Sequence, residues 1–166
     1  MKKRWISLFV ENEVGVLARI SGLFSGKSYN LDSLTVGVTE DSTISRMTIS
    51  LTSDDRTFEQ IKKQLGRSVE VIKVVDYTDI PIHMKEILFV KVNHCSDADI
   101  AERFRISKVF GVSIIDYDGA AVLLECTQTE NRNDELIALL KRKFANRIEI
   151  VRGGSVAVEA ISMFER

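Results

Sequence analysis

The spacing of hydrophobic and polar residues in the first half of the chain predicts alternating strands and helices. A short apolar run at 5–10 predicts a strand, and apolar residues over 16–24 then recur at the spacing of one helix face. From Leu34 the period changes to two. The alternation over 34–38 and 47–51, separated by a polar turn, predicts a hairpin.

A second helix and a closing strand complete this half. The segment Ser53-Asp54-Asp55 can cap a helix start, and Phe58, Ile61 and Leu65 follow at helical spacing. The apolar run at 69–75 predicts the last strand. The predicted order is therefore β-α-β-β-α-β.

The second half repeats that order of elements without visible residue-level identity. Strands are predicted at 87–92 and 148–151, with a hairpin over 112–126 that turns at Asp118 and Gly119. Two helices are predicted between the strands, one that Asp97 can cap, with Ile100, Phe104 and Val109 on its core face, and one over 136–144. The tail after Gly153 is expected to form a short helix or an edge strand.

These patterns predict an α+β fold of two tandem ferredoxin-like βαββαβ sandwiches. The single proline, Pro81, lies in a stretch without helical or strand period, so we expect a linker at 79–85. The predicted domains are 4–78 and 86–166. Each half leaves one sheet face uncovered, and we expect two halves or two chains to cover such surfaces.

The amino-acid composition and net charge argue against several classes of function. The chain has 166 residues, 45% of them apolar and 28% charged, and a net charge of −1. This balance argues against disorder and against a protein that works by neutralising phosphates, so we expect no nucleic-acid partner. The apolar runs are too short to span a membrane. The basic start leads directly into a strand rather than a signal-peptide core, which favours a cytoplasmic location.

The sequence contains no recognisable catalytic or metal-binding motif. His83 and His94 show no metal-ligand spacing, and Cys95 and Cys126 lie in or beside apolar runs, as buried thiols do. Neither a nucleophile elbow nor a nucleotide-binding glycine loop is present. The sequence therefore indicates binding rather than catalysis, and no catalytic residue or metal site is predicted.

One segment has the properties of a ligand site. Residues 12–17 join the first strand to the first helix, and a helix start offers free backbone N–H groups to a carboxylate. Gly15 allows close approach to the backbone, while Val16 and Leu17 could supply an apolar wall. On this segment alone a purely structural role is favoured, since glycine is common at helix starts and Asn12 can be a simple N-cap.

The same segment, with its neighbours, resembles the acetolactate synthase (acetohydroxyacid synthase) small regulatory subunit, a family built on an ACT domain. The resemblance is carried in the first half by residues 8–19, 22–24, 29–36 and 45–49, and in the second by 86–92, 114–116 and 152–157. The second half departs from the family pattern at Gln128-Thr129-Glu130, where a glycine-containing turn is frequent. It departs again at Glu159, where a basic residue is usual.

The resemblance implies a regulatory role. Family members activate a separate catalytic subunit, which condenses two pyruvates, or pyruvate and 2-oxobutyrate, in branched-chain amino acid biosynthesis. Many also confer feedback inhibition by valine or another branched-chain amino acid. Thiamine diphosphate, Mg²⁺ and FAD are expected on the catalytic partner and no cofactor on this chain. A homodimer through ACT domains is also implied.

The resemblance further implies which residues bind. Asn12, Gly15, Val16 and Leu17 would hold the effector's carboxylate and side chain, and Asn30 and Leu31 of the facing chain would meet its ammonium group. Ser28 replaces a glycine common in the family. Contacts to the catalytic subunit are expected on the strand that carries the following three residues: Ser45, Arg46 and Met47.

Two alternatives remain at this level. A stand-alone ACT sensor could regulate a different enzyme or a transcription factor, although no helix-turn-helix pattern or basic helix is visible. An enzyme on a ferredoxin-like scaffold is the second alternative, against which the missing acid–base constellation argues.

Overall fold

The computed structural model describes residues 1–26, 29–94, 105 and 109–161. The chain divides into two compact units, the first made of Met1–His83 with Ser155–Arg166, and the second of Met84–Gly154. Within the described residues no helix is long and apolar enough to cross a membrane.

The first unit contains a four-stranded antiparallel sheet in the order β2-β3-β1-β4. Its elements are β1 (Lys2–Glu11), α1 (Val16–Ser25), β2 (Ser33–Val38), β3 (Ile44–Ser53), α2 (Asp55–Leu65) and β4 (Val71–Asp76). Within the predicted capping segment 53–55 the cap of α2 is Asp54, whose side chain accepts a hydrogen bond from Thr57 N at 2.9 Å.

Alternation along the strands places one apolar row of the sheet against the two helices. Leu8 lies opposite Met47, which in turn lies opposite Val36. The buried core on this side is formed by Ile6, Leu8, Val10, Val16, Ile20, Phe24, Met47, Ile49, Leu51, Phe58, Ile61 and Leu65. The other face of the same strands carries the buried hydroxyl residues Ser7, Thr48 and Ser50.

The second sheet has the order β6-β7-β5-β8, the same arrangement as the first. Its strands are β5 (Ile82–Val92), β6 (Ser113–Tyr117), β7 (Val122–Gln128) and β8 (Ile148–Glu159), with α3 at Glu130–Lys143. Its core includes Leu88, Val90, Leu124, Leu136, Leu140 and Phe144. The predicted fold class, two tandem ferredoxin-like units, is confirmed. Most of the helix predicted over 97–109 lies outside the described residues.

The structure differs from the predicted domain boundaries in two places. β5 begins at Ile82, inside the predicted linker 79–85. Pro81 precedes the strand, where its missing N–H removes no ladder hydrogen bond, and its carbonyl accepts a bond from Ala160 N at 2.9 Å.

The second difference concerns the C-terminal tail. Residues 155–161 belong to the first unit, whereas the prediction assigned them to the second. The tail continues β8 as a strand to Glu159. The change of unit follows Gly154, whose φ of 78° lies in the left-handed region that glycine adopts without strain.

Candidate functional site

The loop between β1 and α1 is fastened to the β2–β3 turn by a single residue. The backbone N–H of Asn12 donates to Thr43 O at 2.7 Å, and its Nδ2 donates to Ser42 O at 2.9 Å. Its Oδ1 accepts a hydrogen bond from Ser45 Oγ at 3.0 Å. Asn12 therefore does not cap α1. Its amide fixes the position of the loop relative to β3.

The helix start itself is open. The N-cap of α1 is Gly15, with φ 89° and ψ −10°, and neither a side-chain cap nor an acidic residue occupies the first turn. Val16 N donates to Glu13 O at 3.3 Å. A Cβ at Gly15 would meet Arg19 Nη2 at 3.9 Å as its nearest neighbour, so the space in front of the backbone is free. This arrangement presents N–H groups and the positive end of the helix dipole to an anion.

Apolar surface flanks the helix start, and of the two predicted wall residues only Leu17 is exposed. Val16 is buried in the core, so it offers a ligand its backbone rather than its side chain. Val14 and Leu17 are 97% and 46% exposed. On β2, Val36 and Val38 are also exposed, and Val38 lies opposite Ser45, the residue that binds Asn12.

Asn30 and Leu31 lie in the segment that leads from α1 to β2. Tyr29 N donates to Phe24 O at 3.0 Å and Asp32 N donates to Ser50 O at 2.8 Å, which anchors both ends of their stretch. Asn30 is exposed, while Leu31 packs partly on the core. An exposed amide beside an anchored backbone is available to a second molecule.

The three strand residues predicted to contact a catalytic subunit have different surroundings. Met47 is buried in the core and Ser45 is buried against Asn12. Arg46 points to the opposite face, is partly exposed and stacks over the Phe9 ring at 5.2 Å. Of the three, only Arg46 has exposed surface for a partner.

The second unit contains a buried ion pair that was not predicted from the sequence. Arg152 donates to the Glu86 carboxylate, which also accepts from Asn133 Nδ2 at 3.0 Å. The hydrogen bonds that Arg152 itself donates to Glu86 raise the pKa of its guanidinium group above the usual value. A signal was present, because the period of two that buries Leu88 and Val90 also turns Glu86 inward.

Other titratable side chains form no reactive cluster in the part of the chain that the structure describes. No group of three or more His, Cys, Asp or Glu residues there could hold a metal ion. Cys126 is buried in the second core, and burial raises the pKa of its thiol.

The element order, the strand order and the open first β–α loop together define an ACT-type regulatory domain. Residues 6–73 match the family model described as the AHAS small subunit-like ACT domain, and residues 85–161 match the model described as the small subunit of acetolactate synthase. The two matches fall on either side of Pro81.

The chain is similar to known proteins over nearly its whole length. The chain is 39% identical to the acetolactate synthase small subunit of Aquifex aeolicus, over 95% of this chain and 81% of that protein. It is 36% identical to the Haemophilus influenzae small subunit, over 94% of each chain. The crystal structure of the Thermotoga maritima small subunit matches with a TM-score of 0.87, at 32% identity, over 98% of this chain and all of that one.

The chain therefore belongs to the acetolactate synthase small subunit family. The resemblance drawn from the sequence is confirmed. So is the interpretation of the chain as a regulatory rather than a catalytic subunit.

Proposed function

We propose that this chain activates the catalytic subunit of acetolactate synthase and makes it sensitive to a branched-chain amino acid, with valine as the first candidate. Family membership over most of the chain supports the partner. The uncapped start of α1 at Gly15, flanked by exposed apolar side chains, is the observation that supports the effector.

The effector's carboxylate binds at the first N–H groups of α1, where the helix dipole and the free donors both favour an anion. Its aliphatic side chain lies against Leu17, and the Val16 backbone passes beside it. Asn12 holds this loop in place through its hydrogen bonds to Ser42 and Ser45. A zwitterion needs partners at both ends, so the ammonium group needs acceptors from elsewhere.

A second copy of the chain supplies those acceptors. β2 is an edge strand of the first sheet, with unpaired backbone groups and exposed Val36 and Val38. A homodimer that pairs these edges covers the valines and lets Asn30 and Leu31 of the partner approach the helix start. The side-chain carbonyl of Asn30 would then accept from the ammonium group.

The cofactors thiamine diphosphate, Mg²⁺ and FAD belong to the catalytic partner in this proposal, and the complex works in the cytoplasm. Arg46 is the residue of the 45–47 strand that remains a candidate for influencing that partner, because Ser45 and Met47 are buried. Regulation operates as a population shift. The effector stabilises the dimer arrangement that it binds best, and the catalytic subunit responds to that arrangement.

Isothermal titration calorimetry on the purified chain tests the effector site. Valine, leucine and isoleucine are titrated separately, with glutamate as a control whose charged side chain cannot be covered by Leu17. We expect saturable binding of at least one branched-chain amino acid and none of glutamate. Absence of binding by all three would refute the effector proposal. Binding without co-purification of the catalytic subunit would instead favour a stand-alone sensor.

A further inference from the structure

Two neighbouring residues at the start of β3 connect different parts of the first unit. Ser45 and Arg46 point to opposite faces of the sheet, as successive strand residues do. Ser45 Oγ donates to Asn12 Oδ1 in the loop before α1. Arg46, on the other face, donates through Nη2 to the carbonyl oxygen of Ala157 at 3.0 Å. The same short strand segment therefore holds the proposed effector loop and the C-terminal strand.

Arg46 makes several contacts on that face. Its Nε donates to Ser7 Oγ at 2.8 Å, and its Nη2 also donates to the Tyr77 hydroxyl. Its guanidinium group stacks over Phe9. One cation thus joins β1, β3, the residue after β4 and the C-terminal strand, and charge-assisted hydrogen bonds of this kind are about twice as strong as neutral ones.

Besides the pairing of β8 with β5, residues 155–160 are held to the first unit at three points. Thr35 Oγ1 donates to Ser155 O at 3.1 Å, Arg46 donates to Ala157 O, and Ala160 N donates to Pro81 O at 2.9 Å. Ser155 and Ala157 are buried, whereas Val156 and Val158 are about half exposed. The strand therefore lies with its small side chains inward and its valines outward.

The sheet face carrying Thr35 and Arg46 combines hydroxyl and aromatic side chains. The buried residues Ser7, Thr48 and Ser50 lie on it together with Phe9 and Tyr77, both of which Arg46 contacts, and Ser155 Oγ has no hydrogen-bond partner. The inward side chains of Ser155 and Ala157 are small, so they add little apolar contact with this face. Segments with few apolar contacts open at low free energy, which makes this one sensitive to the loss of a single strong contact.

We propose that residues 155–160 form a releasable C-terminal strap on the first unit, that Arg46 is its latch, and that β3 couples the strap to the effector loop. The coupling rests on the proposed function, since it requires a ligand at the α1 start. Ligand binding restricts the Asn12 loop and, through Ser42 and Ser45, the start of β3. The hydrogen bond from Arg46 to Ala157 O, on the opposite face of β3, is thereby stabilised, and residues 155–160 stay bound to the first unit.

Hydrogen exchange followed by mass spectrometry tests the strap without any ligand. In the full-length chain, Arg46→Met should increase exchange in peptides covering 155–160 about tenfold, while peptides from the core of β1 stay protected. Arg46→Lys keeps the positive charge but loses the planar guanidinium with its several N–H donors, and it should give an intermediate increase in exchange. Lys73→Met is the matched control, because Lys73 also lies over the Phe9 ring, at 5.9 Å, from the adjacent strand β4.

A second variant keeps the test independent of Arg46. Thr35→Val removes the hydroxyl that donates to Ser155 O, and it should also increase exchange over 155–160. Unchanged exchange in both Arg46→Met and Thr35→Val would overturn the strap.

Exchange with saturating valine then tests the coupling. In the wild-type chain valine should slow exchange over 155–160 several-fold, and Arg46→Met should lose this effect while calorimetry still detects valine binding. Valine binding that leaves wild-type strap exchange unchanged would overturn the coupling alone. Absence of valine binding to the wild-type chain would refute the proposed function and the coupling together. The exchange rates of the Arg46 and Thr35 variants without ligand would still show whether the strap exists.

Discussion

Arg152 holds the carboxylate of Glu86 through two nearly parallel hydrogen bonds, from Nε to Oε1 at 2.9 Å and from Nη2 to Oε2 at 2.7 Å. The Glu86 side chain is only 4% exposed, and its Oε2 also accepts a hydrogen bond from Asn133 Nδ2 at 3.0 Å. Arg152 also donates to Asp134 Oδ1 at 2.7 Å, nearer the surface. A buried charge is tolerated at this place because its partners are complete.

Arg152→Met should therefore destabilise the second unit strongly. Removing one partner of a buried pair leaves an uncompensated charge, and we expect the free energy of unfolding at pH 7 to fall by about 3 kcal/mol. Urea unfolding followed by circular dichroism measures the loss. The control is Glu135→Gln, which breaks an exposed ion pair with Arg132 and should cost about 0.5 kcal/mol or less. Equal, small losses in both variants would contradict this account.

Gly153 is required by its neighbour on β5. A Cβ at this position would lie 2.4 Å from Ile87 Cγ2, well inside van der Waals contact. Gly153→Ala should lower the free energy of unfolding by about 1–3 kcal/mol, the usual cost of overpacking. Gly119→Ala, where a new Cβ meets no atom within 4 Å, should be nearly neutral. In an Ile87→Ala background the cost of Gly153→Ala should largely disappear, and a cost that persisted would exclude this clash as its cause.

The environment of Asp76 leads us to expect that the free energy of unfolding depends on pH. Burial alone would raise the pKa of its carboxyl, but hydrogen bonds from Lys62 and Thr78 outweigh burial and lower the pKa. A lowered folded-state pKa gives stability that is complete above the unfolded value of about 3.9 and is lost as the pH falls through the folded value. Asp76→Asn should therefore cost about 1 kcal/mol at pH 7. The difference from the wild-type chain should vanish toward pH 2 in urea unfolding, whereas a constant difference would contradict the assignment.

The strands and helices of the first unit were predictable because each buries one face. The period-two rows of β1 and β3 and the helical spacing of α2 all correspond to the observed core. The extent of β8 was not predictable in the same way. Val156 and Val158 alternate, but they point outward, and the inward residues Ser155 and Ala157 carry no hydrophobic signal.

The candidate site was predicted in part. The open helix start at Gly15 follows from its sequence position and its glycine, whose positive φ the structure shows. The burial of Val16 and the internal bonding of Asn12 depend on tertiary contacts with α1 and the β2–β3 turn. Local pattern cannot distinguish a side chain that faces a ligand from one that faces the core on the same helix turn.

A charge placed at Gly15 should separate ligand binding from folding. Gly15→Asp puts a carboxylate where the effector's carboxylate is proposed to bind, and we expect valine binding to weaken by at least tenfold. Gly15→Asn is the matched control, since asparagine has nearly the same shape and also tolerates a positive φ. It should keep more of the affinity than the aspartate variant in calorimetry. Equal affinities for the two variants would argue against a carboxylate site at this helix start.

The regulatory role can be measured directly as pyruvate turnover by the acetolactate synthase catalytic subunit. The rate is followed alone, then with this chain added, and then with increasing valine. We expect the chain to raise the rate severalfold and valine to lower the raised rate in a saturable manner, while the catalytic subunit alone responds little. A rate that the chain leaves unchanged, with or without valine, would contradict the proposed regulatory role.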